Sequence, residues 1–268
     1  MGSTRVALAN RQGGRMRNRR RGSIVAVLAV VALGLAIGPA FGQAGGSQAG
    51  TIPRMPDGKP DFSGIWQVLN TASWNVQDHA AEKGVPGGQG IVEGNEIPYL
   101  PAALAKRDEN RKNRLAADPV NKCYMPGVPR IMYMPYPFQI VQTPNYMAMV
   151  FEYVHSVRHV YFNTPHIPGP IEWWMGDSRA KWDGDTLVVD AVHFNAETWF
   201  DASGNHHSEA LHLVERYSFI DRDHINYEVT VEDPKVFSRP WKMSMPLYRR
   251  VERNLQLLDY ECHAFDER

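Results

Sequence analysis

Histidines and glutamates in the second half of the chain have the types and spacing that proton transfer uses. His207 and Glu209 are two positions apart where a loop enters a strand, and side chains two apart along a strand point to one side. An imidazole beside a carboxylate takes up and releases protons near neutral pH. We therefore interpret His207 and His212 as candidate proton-transfer groups. Glu228 and Glu232 would orient them or serve as the partner acid.

Two other interpretations of these histidines stay open, a metal site and a solvated loop. Zinc normally takes three protein ligands, and His207, Glu209 and His212 do not share one face of a regular strand. The spacing of three nearby aspartates lacks the closing glutamate of a twelve-residue calcium loop; they are Asp183, Asp185 and Asp190. We therefore predict no bound metal.

Known nucleophile and nucleotide motifs are absent from the sequence. It contains no Gly-x-Ser-x-Gly elbow, phosphate loop or dinucleotide fingerprint. A serine hydrolase and a nucleotide-dependent enzyme are therefore disfavoured, and we predict no organic cofactor.

Arginines and aromatic residues are the candidates for binding a substrate. Arg158 and Arg216 would hold an anionic group or a developing negative charge. Trp174, which follows a proline-rich loop, and Trp199 would line the mouth of a pocket. His155, on the predicted strand that also carries Arg158, is a further substrate-binding candidate. Core packing is the ordinary role of aromatic side chains and is the alternative for both tryptophans. The expected ligand is a small, largely apolar or aromatic molecule.

Short strands separated by turn signals must position these side chains. Strands are predicted over residues 61–68, 138–141, 146–153, 154–163, 180–182, 186–194, 210–220, 225–231, 241–248 and 255–262. Short strands at this spacing indicate an all-β barrel or sandwich. Residues 75–135 contain many Gly and Pro residues and are predicted to form long loops, with a polar surface helix over 102–117.

Several predicted strands carry one polar face, which has two interpretations. That face either points to solvent, as in an antiparallel sheet with one wet side, or lines a partly polar barrel that holds a ligand. In the second case the charged residues would meet across neighbouring strands; they are Arg158, His212, Arg216, Glu228 and Glu232.

The first 42 residues have the pattern of a secretory signal. Seven arginines from Arg5 to Arg21 precede an apolar run at 24–37, and Ala40 and Gly42 form a small-x-small cleavage site. The apolar run is shorter than the roughly 20 residues of a membrane span. We predict a signal peptide at 1–42, a flexible lead-in at 43–60 and one domain at 61–268, in a periplasmic or secreted protein. An uncleaved anchor is the alternative, and the Sec and twin-arginine routes both stay open.

Removal of the signal makes the protein acidic. It takes seven of the 29 basic residues and none of the 29 acidic ones, which leaves 22 basic residues and a net charge of −7. Nucleic acids and anionic membranes attract clustered Lys and Arg, so neither is an expected partner. The oligomeric state is left open.

Cys123 and Cys262 are the two cysteines of the chain. Outside the cytoplasm such a pair usually forms a disulfide, which here would join the middle of the chain to its C-terminal part. The alternative is a nucleophilic thiol, disfavoured because Cys123 lies among prolines with no histidine beside it.

The first predicted strand resembles the opening strand of lipocalins and related calycin barrels. The resemblance rests on the Gly-x-Trp signature of Gly64 and Trp66. It implies a barrel closed at one end by the tryptophan against a basic residue near the last strand, here one of Arg249, Arg250 and Arg253. The loop-rich region at 75–135 departs from the lipocalin pattern.

A second resemblance covers most of the mature chain. The sequence is similar to a large family of secreted proteins of soil and environmental bacteria, in the segments MPDGKPDFSGIW (55–66), GVPR (127–130), EYVHSVR (152–158), WDGDTLVVD (182–190), HSEALHLVER (207–216) and YEVTVEDP (227–234). It implies export and no particular activity. One departure is Asp177, where the family pattern has His or Tyr after the glycine, so the resemblance assigns no role to this position.

These observations predict an all-β, antiparallel calycin-like (lipocalin-like) barrel with a long loop-rich insertion. The leading functional hypothesis is a cofactor-independent enzyme of the lyase, isomerase or hydrolase type acting on a small molecule in the barrel. The alternative is a non-catalytic periplasmic carrier of a small hydrophobic ligand. Two further possibilities are a metal-dependent hydrolase and a module that binds other proteins, with no cavity and a solvent-facing His212.

Overall fold

The computed structural model describes residues 51–260 and residue 262. The predicted signal peptide and residues 43–50 of the lead-in lie outside this part of the chain. Within it, nine strands follow one another around a closed barrel, and the last strand pairs with the first. The strands are β1 (Gly64–Gln67), β2 (Phe138–Thr143), β3 (Tyr146–Phe151), β4 (Val157–Phe162), β5 (Asp177–Asp183), β6 (Thr186–Val192), β7 (His212–Asp221), β8 (His224–Glu232) and β9 (Trp241–Arg249).

The prediction of an all-β barrel is confirmed, but the barrel is not wholly antiparallel. β4 and β5 are parallel, with Val160 opposite Ser178, whereas the other neighbouring strands run antiparallel. Consecutive parallel strands require the chain to return to its starting end before the second strand begins. Residues 163–176 make this return, and we call them the crossing loop.

Alternation along each strand separates an inward apolar face from an outward polar one. In β2, Phe138, Ile140 and Gln142 are buried while the residues between them are exposed. The interior is filled by inward side chains from all around the barrel, including Met149, Val160, Leu187, Leu213, Tyr227 and Leu247, each at most 1% exposed.

Of the two interpretations of the polar face, the structure supports the one in which it points to solvent, and a polar lining of the barrel by these residues is wrong. His212, Arg216, Glu228 and Glu232 alternate with the buried residues of β7 and β8 and lie on the outer face. Only Arg158 of the predicted set points inward. The four residues His212, Arg216, Glu228 and Arg158 do not line one cavity, because both strands place their apolar residues in the core.

One end of the barrel is closed by Trp66, which is fully buried. The Arg249 guanidinium lies 4.2 Å from the centre of a Trp66 ring and donates to the Ser63 carbonyl at 2.9 Å. The predicted pairing of this tryptophan with a basic residue is confirmed, and the residue is Arg249. Lipocalin barrels have eight strands, so the calycin resemblance stays an expectation for this nine-stranded barrel.

The loop-rich region between β1 and β2 contains the predicted polar helix. It forms as α1 (Pro101–Lys112) and α2 (Arg114–Ala117). Short 3₁₀ helices occur at Glu93–Asn95, Pro119–Lys122, Arg130–Tyr133 and, later in the chain, Tyr153–His155. Among residues 51–260 and 262, no helix has both the length and the apolar character needed to cross a bilayer.

The C-terminal part of the described chain leaves the barrel after β9. The predicted last strand at 255–262 does not form in the residues that the structure describes. The predicted disulfide is confirmed: Cys123 and Cys262 are bonded, 139 positions apart in sequence. This bond attaches the C-terminal segment to the loop-rich region.

Candidate functional site

The crossing loop lies against the outer face of β5 and β6, where it builds a cleft. The Trp173 amide donates to the His193 carbonyl at 2.8 Å, and the Asn195 amide donates to the Trp173 carbonyl at 3.1 Å. These bonds pair the end of the crossing loop, at Trp173, with the backbone that directly follows β6. The loop side chains therefore lie above the outward residues of β5 to β7.

The return into β5 depends on Gly176. Its φ of 66° is in the left-handed region, and a Cβ there would lie 2.5 Å from the Phe194 ring. The next residue, Asp177, is buried and accepts hydrogen bonds from the Ile167 amide at 3.0 Å and from Arg179. Burial raises the pKa of Asp177, but the bonds to Arg179 and the Ile167 amide lower it by more, so the carboxylate is charged. This carboxylate anchors the crossing loop.

Alternating carboxylates and imidazoles extend from Asp177 across the outer faces of four strands. His166 lies between Asp177 (Nδ1, 2.9 Å) and Asp190 (Nε2, 2.8 Å). His212 lies between Asp190 (Nε2, 3.0 Å) and Glu232 (Nδ1, 3.3 Å). We call these five residues the imidazole–carboxylate chain. The structure brings together two of the predicted catalytic residues, His212 and Glu232, within it.

His212 is held in its charged form by this arrangement. An ionised carboxylate only accepts hydrogen bonds, so both ring nitrogens of His212 must carry protons to satisfy both partners. Partial burial lowers the pKa of His212, but the hydrogen bonds and charges of Asp190 and Glu232 raise it by more. Partial burial raises the pKa of Asp190, but the hydrogen bonds from His212 and His166 lower it by more. His212 is therefore a stabilised cation and a poor base.

His193, which follows β6, is an imidazole in the polar pocket with both ring nitrogens available for proton transfer. Its ring packs edge-on against His166 and Trp173, at centroid distances of 6.3 and 5.9 Å. Its side chain makes no hydrogen bond with any residue of the described chain. Its φ of 60° is in the left-handed region, which costs energy for a residue with a Cβ and is typical of functional positions.

The cleft consists of two adjoining pockets that share Glu172, and we call it the Glu172 cleft. The polar pocket, of about 270 Å³, is lined by His193, Glu209 and His212 in addition to Glu172. The aromatic pocket, of about 380 Å³, is lined by residues that include Tyr161, Ile167, Trp173, Trp174 and Met175. Volumes of 300 to 1,000 Å³ are typical of small-molecule sites. The cleft thus joins an apolar surface to proton-transfer groups.

The charges around the cleft are mainly negative. Glu172 is exposed and forms no ion pair or hydrogen bond with the residues the structure describes. Glu209 is paired with Lys235, and the cation of His212 is balanced by two carboxylates. Like charges repel, so this cleft favours a neutral or cationic molecule over an anion.

The predicted catalytic role of His207 does not fit its surroundings. His207 is 4% exposed, its Nδ1 donates to the Ser208 carbonyl at 2.8 Å, and Thr198 donates to its Nε2 at 2.7 Å. Burial lowers its pKa, so the ring is neutral and both nitrogens are occupied. His207 packs the loop before β7, and the side chain two positions on, Glu209, binds Lys235 instead.

The predicted anion clamp of Arg158 and Arg216 is also absent. Arg158 is 1% exposed inside the barrel and binds Glu215, which is fully buried, through two hydrogen bonds. Tyr217 and Tyr227 donate to the same carboxylate at 3.0 and 2.7 Å. A substrate cannot reach this group. Arg216 lies on the outer face and binds Asp183 at 2.9 Å.

The remaining predicted site residues are dispersed. Glu228 lies on the outer face of β8 and accepts a hydrogen bond from Asn226 at 3.2 Å. His155 is exposed near Asp259, at 3.3 Å, because the 3₁₀ helix Tyr153–His155 interrupts the strand predicted there. Trp199 lies in the loop before β7. Trp174 lines the Glu172 cleft, in agreement with its predicted position at a pocket.

Five residues of the site were not predicted from the sequence. They are His166, Glu172, Asp177, Asp190 and His193. The concentration of histidines from His193 onward was a usable signal. No local sequence pattern indicates that the proline-rich loop contacts β6.

In residues 51–260 and 262, no three His, Cys, Asp or Glu side chains are arranged to hold a metal ion.

Comparison with protein-family models and with curated proteins gives no match to this chain. The function must therefore be argued from the geometry of the site.

Proposed function

We propose that the protein is an enzyme that performs cofactor-independent acid/base chemistry on a small aromatic molecule bound in the Glu172 cleft. The observation that supports the proposal is His193. It is an imidazole with no hydrogen-bond partner in the described chain, in ring contact with His166 and Trp173, and it lines the polar pocket together with the cation His212. Imidazoles are the usual general bases near neutral pH.

The aromatic pocket would bind the ring of the substrate, and His193 would remove a proton from a carbon or hydroxyl group next to it. The electron pair left behind moves into the substrate or onto a leaving group. His193 then returns the proton at a second position or to that leaving group. These steps describe an isomerase or a lyase, and a hydrolase if His193 activates water instead.

The imidazole–carboxylate chain would support this step without taking part in it. Negative charge develops on the substrate as the proton leaves, and a positioned cation favours that charge. His212 lines the same pocket as His193, and its two carboxylate partners fix its ring. His212 is thus a positioning and electrostatic residue in this proposal.

A neutral substrate fits the cleft best, because Glu172 and the surrounding carboxylates repel anions. This differs from the anionic group that the two arginines were expected to hold. We also propose that the protein works outside the cytoplasm. The disulfide supports this location, together with the predicted signal peptide.

The test uses 5-nitrobenzisoxazole, a small, neutral aromatic probe. Removal of its ring proton by a base breaks the N–O bond and forms a nitrile and a coloured phenolate, so turnover needs nothing but a base. His193→Asn retains a residue that tolerates the left-handed backbone and removes the base. We expect the rate above buffer to fall about 100-fold, within the range for general bases. The control His224→Asn, on the β7–β8 hairpin, should retain the full rate.

The same experiment separates an enzyme from a carrier, the alternative that the aromatic pocket alone would favour. An enzyme requires that His193→Asn still bind 3-methyl-5-nitrobenzisoxazole, a neutral analogue that lacks the ring proton to be removed, with nearly unchanged affinity while losing turnover of the probe. If the unmodified protein binds this analogue but is no faster on the probe than free imidazole at equal concentration, the carrier interpretation replaces the enzyme.

A further inference from the structure

A second cavity lies on another part of the molecule, beside the disulfide. Its volume is about 500 Å³, and Cys262 is one of its lining residues. Its walls come from the loop-rich region, from the 3₁₀ helices at Pro119–Lys122 and Arg130–Tyr133, and from the C-terminal segment. We call it the disulfide pocket. It shares no lining residue with the Glu172 cleft.

One wall of the disulfide pocket is a cluster of three tyrosines. The ring centroids of Tyr136, Tyr153 and Tyr260 lie 4.9 to 5.2 Å from one another. Partial burial and the hydrogen bond to Tyr260 raise the pKa of Tyr136 to about 12, and burial raises that of Tyr153 as well. The phenols of Tyr136 and Tyr153 are therefore neutral at physiological pH, and their rings offer a flat, uncharged surface for stacking.

Two arginines give the other side of the pocket an excess of positive charge. Arg130, 3% exposed, binds Asp118 through two hydrogen bonds of 2.8 Å. Its Nε is buried and has no acceptor in the described part of the chain, and an unsatisfied buried donor is costly. Arg114 is one-quarter exposed at the rim, and its nearest carboxylate partner, Glu82, lies 3.6 Å away. Two guanidinium groups therefore face one lining carboxylate.

We propose that the disulfide pocket binds a flat aromatic anion, a carboxylate or sulfonate of about two fused or linked rings. The rings would stack on the tyrosine cluster. The anionic oxygens would pair with Arg114 and be attracted by the charge of Arg130, both of which line the pocket. This selectivity is opposite to that of the Glu172 cleft, so the pocket is a separate binding site and does not depend on the proposed enzyme activity.

The test compares two fluorescent probes that share one scaffold. 8-Anilinonaphthalene-1-sulfonate is an anion, and N-phenyl-1-naphthylamine is the same ring system without the sulfonate. We expect the sulfonate to bind the folded protein at least about tenfold more tightly. Arg114→Gln should weaken sulfonate binding about fivefold, the effect of one partly exposed charge pair, and leave binding of the neutral probe unchanged.

Arg111→Gln is the matched control. Arg111 lies three residues earlier in α1, also has its guanidinium 3.6 Å from Glu82, and does not line the pocket. It should change sulfonate binding less than twofold. Circular dichroism establishes that both variants are folded. The proposal is overturned if the two probes bind equally well, if the sulfonate does not bind, or if Arg114→Gln and Arg111→Gln have the same effect.

Discussion

His193 and His212 are 19 positions apart in sequence and line one pocket, yet their surroundings suit them to different tasks. Carboxylates occupy both nitrogens of His212 and hold its proton. Among the described residues, the side chain of His193 has ring contacts and no hydrogen-bond partner. A reactive base needs a free nitrogen, whereas a fixed cation needs partners. The division of roles therefore follows from hydrogen bonding and not from residue type.

The raised pKa of His212 predicts a pH-dependent contribution to stability. The contribution is fully present at pH values below the pKa of the unfolded state, 6.5. It is lost as the pH rises through the higher pKa of the folded state. His212→Gln should therefore destabilise the protein more at pH 5.5 than at pH 9, with a difference of about 0.5–1 kcal/mol for these partly exposed pairs. Urea denaturation at the two pH values measures it.

Salt provides the control for this prediction. At about 1 M NaCl the pH-dependent difference should shrink, because ions screen exposed charges. An equal loss of stability at both pH values would show that His212 contributes packing alone.

At the scale of a strand, Gly64 explains why β1 carries a Gly-x-Trp pattern. Its φ of 142° is a backbone conformation that glycine adopts and that residues with a Cβ rarely do. A Cβ at this position would also overlap Nη1 of Arg249, the group that lies over Trp66. The glycine thus admits the arginine that closes the end of the barrel.

Gly64→Ala should destabilise the fold by about 2–4 kcal/mol, because backbone strain of about 1–3 kcal/mol adds to displacement of Arg249. Gly184→Ala, in the β5–β6 hairpin, is the control. Its φ is 61° and no atom lies within 4 Å of the added Cβ, so it should cost only about 1–2 kcal/mol. Thermal or urea unfolding compares the two. Equal losses would mean that Arg249 moves freely.

For the whole molecule, the disulfide closes a loop that contains most of the barrel. The bonded cysteines are 139 positions apart, and the chain-entropy model assigns such a loop about 4–5 kcal/mol. Replacement of both Cys123 and Cys262 by Ser should lower the free energy of unfolding by that order. Urea unfolding should also become insensitive to reductant in the variant, while the unmodified protein loses stability when reduced. An unchanged midpoint in the variant would contradict the prediction.

Much of the fold could be predicted because it depends on local patterns. Short runs of strand-forming residues between turn signals located all nine strands. For β4, β7 and β8, period-two alternation also predicted which residues share a face. The Asp183-Gly184 turn correctly located the β5–β6 hairpin. The direction of the polar face was undecided, because Arg158 and Glu215 place charge inside an otherwise apolar core. From the sequence alone, charged residues that form a buried ion pair cannot be distinguished from charged residues on a solvent-facing surface.

Sequence by itself determined the all-β class, the positions of most strands, the disulfide and the contact of a basic residue with Trp66. Only the tertiary structure decided where the site lies. His166 meets Asp190, 24 positions away, because β4 and β5 are parallel and the crossing loop must return along the outside of the barrel. Inward and outward residues alternate with a period of two in parallel and antiparallel strands alike. The alternation therefore does not indicate whether two neighbouring strands are parallel or antiparallel.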